Sequence, residues 1–460
     1  MPPQHKDRLS AVDASFLAQE KESAHMHVGA VMVFEGPPPS YEDFLEQVES
    51  RLHLVPRYRQ KLAFPRFEMG RPMWVDDPSF NLEYHVRNTA LPKPGSMDQL
   101  RQLAARVFSQ RLDRSKPLWE TWLVQGLDPN RFALISKTHH SMIDGVAGVD
   151  LASVLFDLSP VPSRVEAEPW TPQPEPSDAE LVAEGVKGVV QRPFSLVGKA
   201  IESVQNPGRT VSTVRESAEA IGEVLWAGLN PAPDVPINTE IGPHRRLENV
   251  PASLDDFKVV KRAFGGTVND AVLAVVAGAM RRFLHSRGVR TEGMELRALV
   301  PMSIRSEADM SSGGNQIAAM RGPLPVYVED PVERLRVVRE SMAGVKESKQ
   351  ALGAEVIAGL QDFAPPTLLA QASRLNFSTR LFNLIVTNVP GPQFPLYLLG
   401  RELQELIPVA FLPENHALAI AIMSYNGTVD FGLLADYDAM SDVEYVARAI
   451  RESLDELLEA

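Results

Sequence analysis

The fold class predicted by this sequence is α/β, built as two sandwich-like domains. Three observations predict it: the chain has 460 residues, each half mixes strand-like with helix-like segments, and a proline-rich stretch parts the halves. The length exceeds the roughly 250 to 300 residues at which one hydrophobic core stops growing, so two cores are expected. A hydrophobic fraction of 44% with 23% charged residues suits globular domains.

From the amino terminus, MPPQHKDRLSAVD lacks the apolar core of a secretory signal, and a cytoplasmic location is expected. Ser10 with Asp13 has the spacing of a helix-capping pair. Met26 to Phe34 reads as a strand from its β-branched content, as do TWLVQGL and FALISKT. Six prolines then fall between Pro160 and Pro176, a density that neither sheet nor helix accommodates. Beyond them, Val211, Val214, Ala218, Ile221 and Leu225 recur at helical spacing between Arg209 and Leu229. NPAPDVPIN closes the connecting region. These signals divide the chain into an N-terminal domain (1–160), a connecting region (161–235) and a C-terminal domain (236–460). In the last of these, Thr267 and Asp270 form a second capping pair and Gly288 ends the helix that they open. HALAIAIMSY and TVDFGLLAD flank Asn426-Gly427, the dipeptide that best supplies two positive φ angles, and so predict a hairpin.

Composition excludes several functions. A formal net charge of −13 disfavours nucleic acid as a partner, because neutralising phosphates requires a basic surface. With no cysteine, thiolate nucleophiles, disulfides and cysteine-based zinc sites are impossible. The longest strongly apolar run, Ala271 to Met280, falls well short of the about 20 residues that a spanning helix needs.

Reactive chemistry concentrates in FALISKTHHSMIDGVAGVDLASVLF, which predicts a strand, a polar turn and a helix carrying Val146, Val149, Ser153 and Phe156. Strand ends present reactive groups to clefts from a rigid support. A histidine there can take a proton from an alcohol and return one to a leaving thiolate. Asp144 lies four residues after His140, where it can orient the imidazole or brace the loop, and Gly145 permits a turn that a β-carbon would oppose. Metal binding is the competing reading, but adjacent histidines on extended chain point to opposite sides. A structural pair of hydrogen-bonded histidines is the other. No G-x-S-x-G elbow, S-x-x-K pair, phosphate loop or dinucleotide fingerprint occurs.

His140-Ser-Met-Ile-Asp144-Gly145 matches the HxxxDG motif of the CoA-dependent acyltransferase superfamily, and His139 extends it to HHxxxDG. With SAVDASFLAQE and HMHVGAVMVF at the start, PLWETWLV, GGTVNDAVLA, VPMSIR and TNVPGP, the chain resembles the bacterial wax ester synthase/diacylglycerol acyltransferase family along nearly its whole length. The resemblance implies two chloramphenicol-acetyltransferase-like sandwich domains with an active-site tunnel at their interface. It implies His140 as general base, transferring a long-chain acyl group from acyl-CoA, a co-substrate, to diacylglycerol and to long-chain alcohols as a further acceptor class. No metal or cofactor is implied, and a membrane or lipid-droplet surface is the expected peripheral partner.

The same carry-over puts His139, Asp144 and Gly145 beside the base, with Asn269, Asp270, Arg305 and Asn388 as substrate-binding or structural support. Asp270 also reads as a helix cap, and Arg305 as a partner for Asp144 or a surface charge. His25 and His27 share a strand face and are expected to be solvated. Trp119 and Trp122 read as packing residues, and Asp430-Phe431-Gly432 as ordinary strand. Two alternatives stay open: a catalytically silent acyl-CoA or lipid binder, and a glycerolipid acyltransferase of the HxxxxD type that would use His139 as base.

Overall fold

The computed structural model describes residues 8–65, 71–142, 154–163, 165–177, 180, 230–303, 317–347 and 378–460. In chain order these form α1 (Ala11–Gln19), β1 (His27–Glu35), α2 (Tyr41–Glu49), β2 (Gln60–Ala63), β3 (Met73–Asp76), α3 (Leu82–His85), β4 (Val86–Ala90), α4 (Met97–Phe108), β5 (Trp119–Leu127) and β6 (Arg131–His139). They continue with β7 (Arg245–Ser253), α5 (Leu254–Phe264), α6 (Val268–Ser286), β8 (Leu296–Ser303), β9 (Ile317–Leu324), α7 (Pro331–Glu347), β10 (Leu384–Pro390), β11 (Tyr397–Leu398), β12 (Arg401–Val409), β13 (Leu418–Tyr425), β14 (Thr428–Asp436) and α8 (Val443–Glu459).

Two six-stranded sheets result, ordered β11-β12-β1-β6-β5-β4 and β7-β14-β13-β10-β8-β9, with β2 and β3 as a separate small pair. The expected local signals fold as read. Ser10 and Thr267 cap α1 and α6 by accepting the backbone N–H of Asp13 and Asp270. Asn426 and Gly427 take φ of 44° and 84°, which joins β13 to β14 with Tyr425 opposite Thr428. Gly288, at φ 71°, stops α6. The apolar run Ala271 to Met280 is the buried interior of α6, a core helix packed on its own sheet. The amphipathic stretch Arg209 to Leu229 lies outside the described residues, as does most of the helix expected after the histidine turn.

The first sheet departs from a division of strands by sequence halves. β12 comes from the C-terminal half, yet it pairs antiparallel with β1 from Gly29↔Val409 to Phe34↔Leu403. An unpaired β1 edge would leave a row of backbone donors and acceptors open, and β12 covers it. Strand alternation then assigns the two faces of this sheet to different cores. Val31, Val33, Ala133 and Ile135 join the large core that includes α6 and the second sheet, whereas Met32, Phe34, Phe132 and Leu134 join a second core with Trp119.

The proline-rich stretch folds back over the first domain. Asp157 and Tyr397 exchange backbone hydrogen bonds of 2.8 and 2.9 Å, the Gln173 N–H donates to Asp76 at 3.0 Å, and Arg59 lies over the Trp170 ring. Cross-half polar contacts add to this: Arg101 of α4 donates to Asn249 of β7 at 3.2 Å, and the Arg245 N–H donates to Ser109 at 3.0 Å.

The sheets touch backbone to backbone where β14 meets β12. A Cβ on Gly432 would stand 1.8 Å from the Pro408 carbonyl oxygen, so only glycine permits the approach. Gly432→Ala is therefore expected to lower stability by about 1 to 3 kcal/mol, read as a lower urea midpoint at unchanged slope.

Candidate active site

β6 delivers the two histidines with its end pinned on both sides. The His139 N–H donates to the Leu118 carbonyl at 2.9 Å, and the His140 N–H donates to the Met26 carbonyl at 2.8 Å. His139 is the last residue of the strand and stands opposite His27 of β1. His140 begins a single 3-10 turn that runs to Met142. The change from strand to turn between consecutive residues gives the two imidazoles different surroundings.

His139 is sealed, at 1% exposure. Its Nδ1 accepts the Ser141 N–H at 3.1 Å and lies 2.7 Å from the Ser141 hydroxyl, while its Nε2 faces Glu20 at 3.8 Å. Burial, with Arg114 and His140 adding to it, pushes its pKa down to about 3. His140 is half-buried. The Phe16 ring stacks on it with centroids 3.9 Å apart at 26°, and Phe411 meets it edge-on at 5.5 Å and 87°. Desolvation in this aromatic slot pushes the His140 pKa down to about 4, only partly offset by its own backbone. At neutral pH the ring is uncharged, as a proton acceptor must be. Phe16 comes from α1 and Phe411 follows β12, so the slot lies where the two halves of the chain are stitched together.

Behind the pair is a polar cluster that sequence reasoning missed. The Glu20 side chain, 1% exposed, is gripped by Arg111 Nε at 3.4 Å and Arg114 Nε at 2.6 Å. Its Oε1 also lies 3.9 Å from His27 Nε2. His25 and His27, expected to be solvated, are 5% and 2% exposed, which overturns that reading. Their rings lie 5.3 Å apart, and the His27 and His139 rings 5.9 Å apart. Spacing of two gave the shared face correctly, but only the packing of α1 and of the chain after α4 decided that this face points inward. The available signal was the i, i+4 spacing of Phe16 on α1 and Glu20 at its cap.

The C-terminal candidates assemble separately. Asn388, in β10, donates through Nδ2 to Asn269 Oδ1 at 3.1 Å, which ties the TNVPGP segment to the first turn of α6. Asp270 is buried at 4% exposure, and its Oδ2 accepts both the N–H and the hydroxyl of Thr267 at 2.8 Å, so it acts as a helix cap. Gly391 has no room for a Cβ, which would stand 2.3 Å from the Ser424 carbonyl oxygen. Asp144, Gly145 and Arg305 lie outside the described residues. Trp119 is packed at 1% exposure, donating to the Tyr58 carbonyl at 2.8 Å, and Trp122 carries Arg87 over its ring. Asp430 is interior strand, and burial raises its carboxyl to about 7. Among the described residues, no three His, Asp or Glu side chains converge as metal ligands.

The family model for the wax ester synthase/diacylglycerol acyltransferase catalytic domain matches residues 9–272, and that for the WS/DGAT C-terminal domain matches residues 313–458. The chain is 34% identical over 456 residues to a protein of Mycobacterium tuberculosis strain ATCC 25618 / H37Rv named probable diacylglycerol O-acyltransferase tgs1, covering 98% of this chain and 96% of that one. The wax ester synthase/diacylglycerol acyltransferase from Marinobacter aquaeolei VT8 superposes with a TM-score of 0.68 at 26% identity, covering 98% of each chain. A trichothecene 15-O-acetyltransferase from Fusarium sporotrichioides shares the fold, with a TM-score of 0.60 at 13% identity over 98% of this chain and 95% of that one.

Six imidazoles, those of His25, His27, His85, His139, His140 and His416, have pKa values lowered first by burial. Unfolding lets each bind a proton near pH 6.5, which the folded chain resists down to about 4 at His85 and His140 and about 3 at His139. Their contribution is therefore complete above pH 6.5 and is lost as pH falls toward 4. The carboxyls of Asp430, Glu248 and Glu295, raised first by burial, act in the opposite sense but are three against six. The urea midpoint is expected to drop between pH 7 and pH 5, and a constant midpoint across that window would contradict neutral burial.

Proposed function

The chain belongs to the wax ester synthase/diacylglycerol acyltransferase family, and from that premise we propose that it transfers a long-chain acyl group from acyl-CoA to diacylglycerol, with His140 as the general base. One observation carries the assignment of the base. Of the two adjacent imidazoles, His140 is uncharged and partly accessible at the seam between the halves, while His139 is sealed with its Nδ1 engaged by Ser141. That contrast also disfavours the HxxxxD alternative, which needs His139 to meet substrate.

The reaction follows from one free lone pair. His140 takes the proton of the acceptor hydroxyl as the oxygen attacks the thioester carbon. The tetrahedral intermediate collapses with cleavage of the carbon–sulfur bond, and the departing thiolate takes the proton back from His140. Ester and free CoA are the products. No acyl-enzyme and no cofactor enter, in keeping with a chain that has no cysteine. Phe16 and Phe411 line the base with apolar surface, which keeps water from competing with the alcohol for the thioester. Asp144 and Gly145, which follow the base in sequence, are proposed to support it, with Arg305 as the brace for Asp144 and the bonded Asn269–Asn388 pair as support from the second half of the chain.

Long-chain alcohols are a second acceptor class, since they present the same hydroxyl on an apolar chain. Both acceptors partition into lipid, so the working location is a membrane or lipid-droplet surface on the cytoplasmic side. Among the described residues no single helix is long and apolar enough to cross a membrane. α5 and α6 pass that test only together, across a 99° bend.

Supplied with long-chain acyl-CoA and diacylglycerol or hexadecanol, the protein is expected to release CoA thiol. His140→Ala is expected to lower turnover by about 10² to 10⁴ with the fold retained. Full turnover by that variant, or acyl-CoA binding without product in the unmodified protein, would remove the assignment. Because the free-enzyme base is held at about 4, kcat/KM is expected to stay level as pH falls from 8 to about 5 and to decline only below that. An acid limb centred at 6.5 would mean that the base is solvated.

A further inference from the structure

A general base must keep both its backbone and its ring fixed, and α1 reaches the histidine turn at two points one helical turn apart. Glu20 caps α1, and its N–H donates to the Phe16 carbonyl at 3.1 Å, so the two side chains project from one face. Phe16 stacks on the ring of His140, and Glu20 faces the Nε2 of His139. We propose that Phe16 and Glu20 are a two-point positioning clamp for the catalytic turn, Glu20 acting through His139 and Ser141 on the backbone of His140, and Phe16 acting on its ring. This rests on the reading of His140 as base.

A tautomer of His139 links Glu20 to the turn. Ser141 N–H donates to His139 Nδ1, so that nitrogen holds the lone pair and the ring proton sits on Nε2. Among the described residues Nε2 is buried without a hydrogen-bond partner, and the Glu20 carboxylate lies 3.8 Å from it. A buried negative charge beside an N–H favours the proton on that nitrogen, which leaves Nδ1 free to accept from Ser141. Ser141 follows His140 directly, so the bond fixes the peptide leaving the base. Arg111 and Arg114 hold the carboxylate in place from the far side, and Arg114 also donates to the Leu17 carbonyl at 2.7 Å, which anchors the last turn of α1. An ion pair that served stability alone would need only the arginines. The position of the carboxylate between them and two imidazoles, those of His27 and His139, gives it a task at the turn.

Glu20→Gln keeps the shape and removes the charge. It is expected to lower kcat by about 10- to 100-fold while KM for acyl-CoA stays within about threefold, since misplacing a base costs rate more than binding. Nitrogen NMR of histidine-labelled protein is expected to show His139 as the Nε2–H tautomer in the unmodified protein and as a mixture in the variant. Glu20→Gln with Arg114→Gln restores the charge balance if the single variant fails to fold, and the same two effects are expected of it. Wild-type kcat with an unchanged His139 tautomer in a folded variant would overturn the clamp. If the unmodified protein forms no ester, the proposed reaction fails instead, and the tautomer measurement still decides whether Glu20 positions the turn.

Discussion

The pairing of β12 with β1 sets the geometry on which the site depends. β12 comes from the second half of the chain, covers the open edge of β1, and leads to Phe411 at the edge of the His140 ring. Without that pairing β1 would be an open edge, and the histidine turn would have α1 on one side and solvent on the other. The glycine at position 432 belongs to the same constraint, because it lets β14 approach the Pro408 carbonyl and holds the two sheets in contact. Covering an exposed edge and assembling a reactive seam are thus one event in this fold.

The second organising fact is electrostatic. The first sheet buries four histidines within one neighbourhood, His25, His27, His139 and His140, and pushes all four toward the neutral form. A neutral imidazole has one donor and one acceptor, so each ring needs a defined tautomer. His139 obtains its tautomer from the Ser141 N–H, and His25 places its Nε2 2.8 Å from the Glu22 carbonyl. Glu20, itself paired with Arg111 and Arg114, sets a carboxylate 3.8 Å from the His139 Nε2. Adjacent residues of the same type therefore differ in surroundings: one is sealed, the other half-buried against two aromatic rings.

Much of this was readable from residues. The Asn426-Gly427 hairpin, the caps at Ser10 and Thr267, the end of α6 at Gly288 and the strand before the histidines are local signals, and each folded as its chemistry requires. Asp270 shows the limit of motif reading, because the same letters that match a family pair also cap α6, and the structure uses its carboxylate for the cap. His25 and His27 mark the opposite failure. Period-two spacing tells that two side chains share a face but not whether that face meets water.

By itself the sequence determined where several elements begin or turn, that two histidines stand at a strand terminus, and which family's motifs run through the chain, because these depend on near neighbours and on residue order. Only the tertiary structure decided that β12 crosses to β1, that Phe16 and Phe411 enclose His140, and that Glu20 lies beside His139. Those contacts join residues 119 to 380 positions apart in the chain, and no local propensity encodes a partner at that separation.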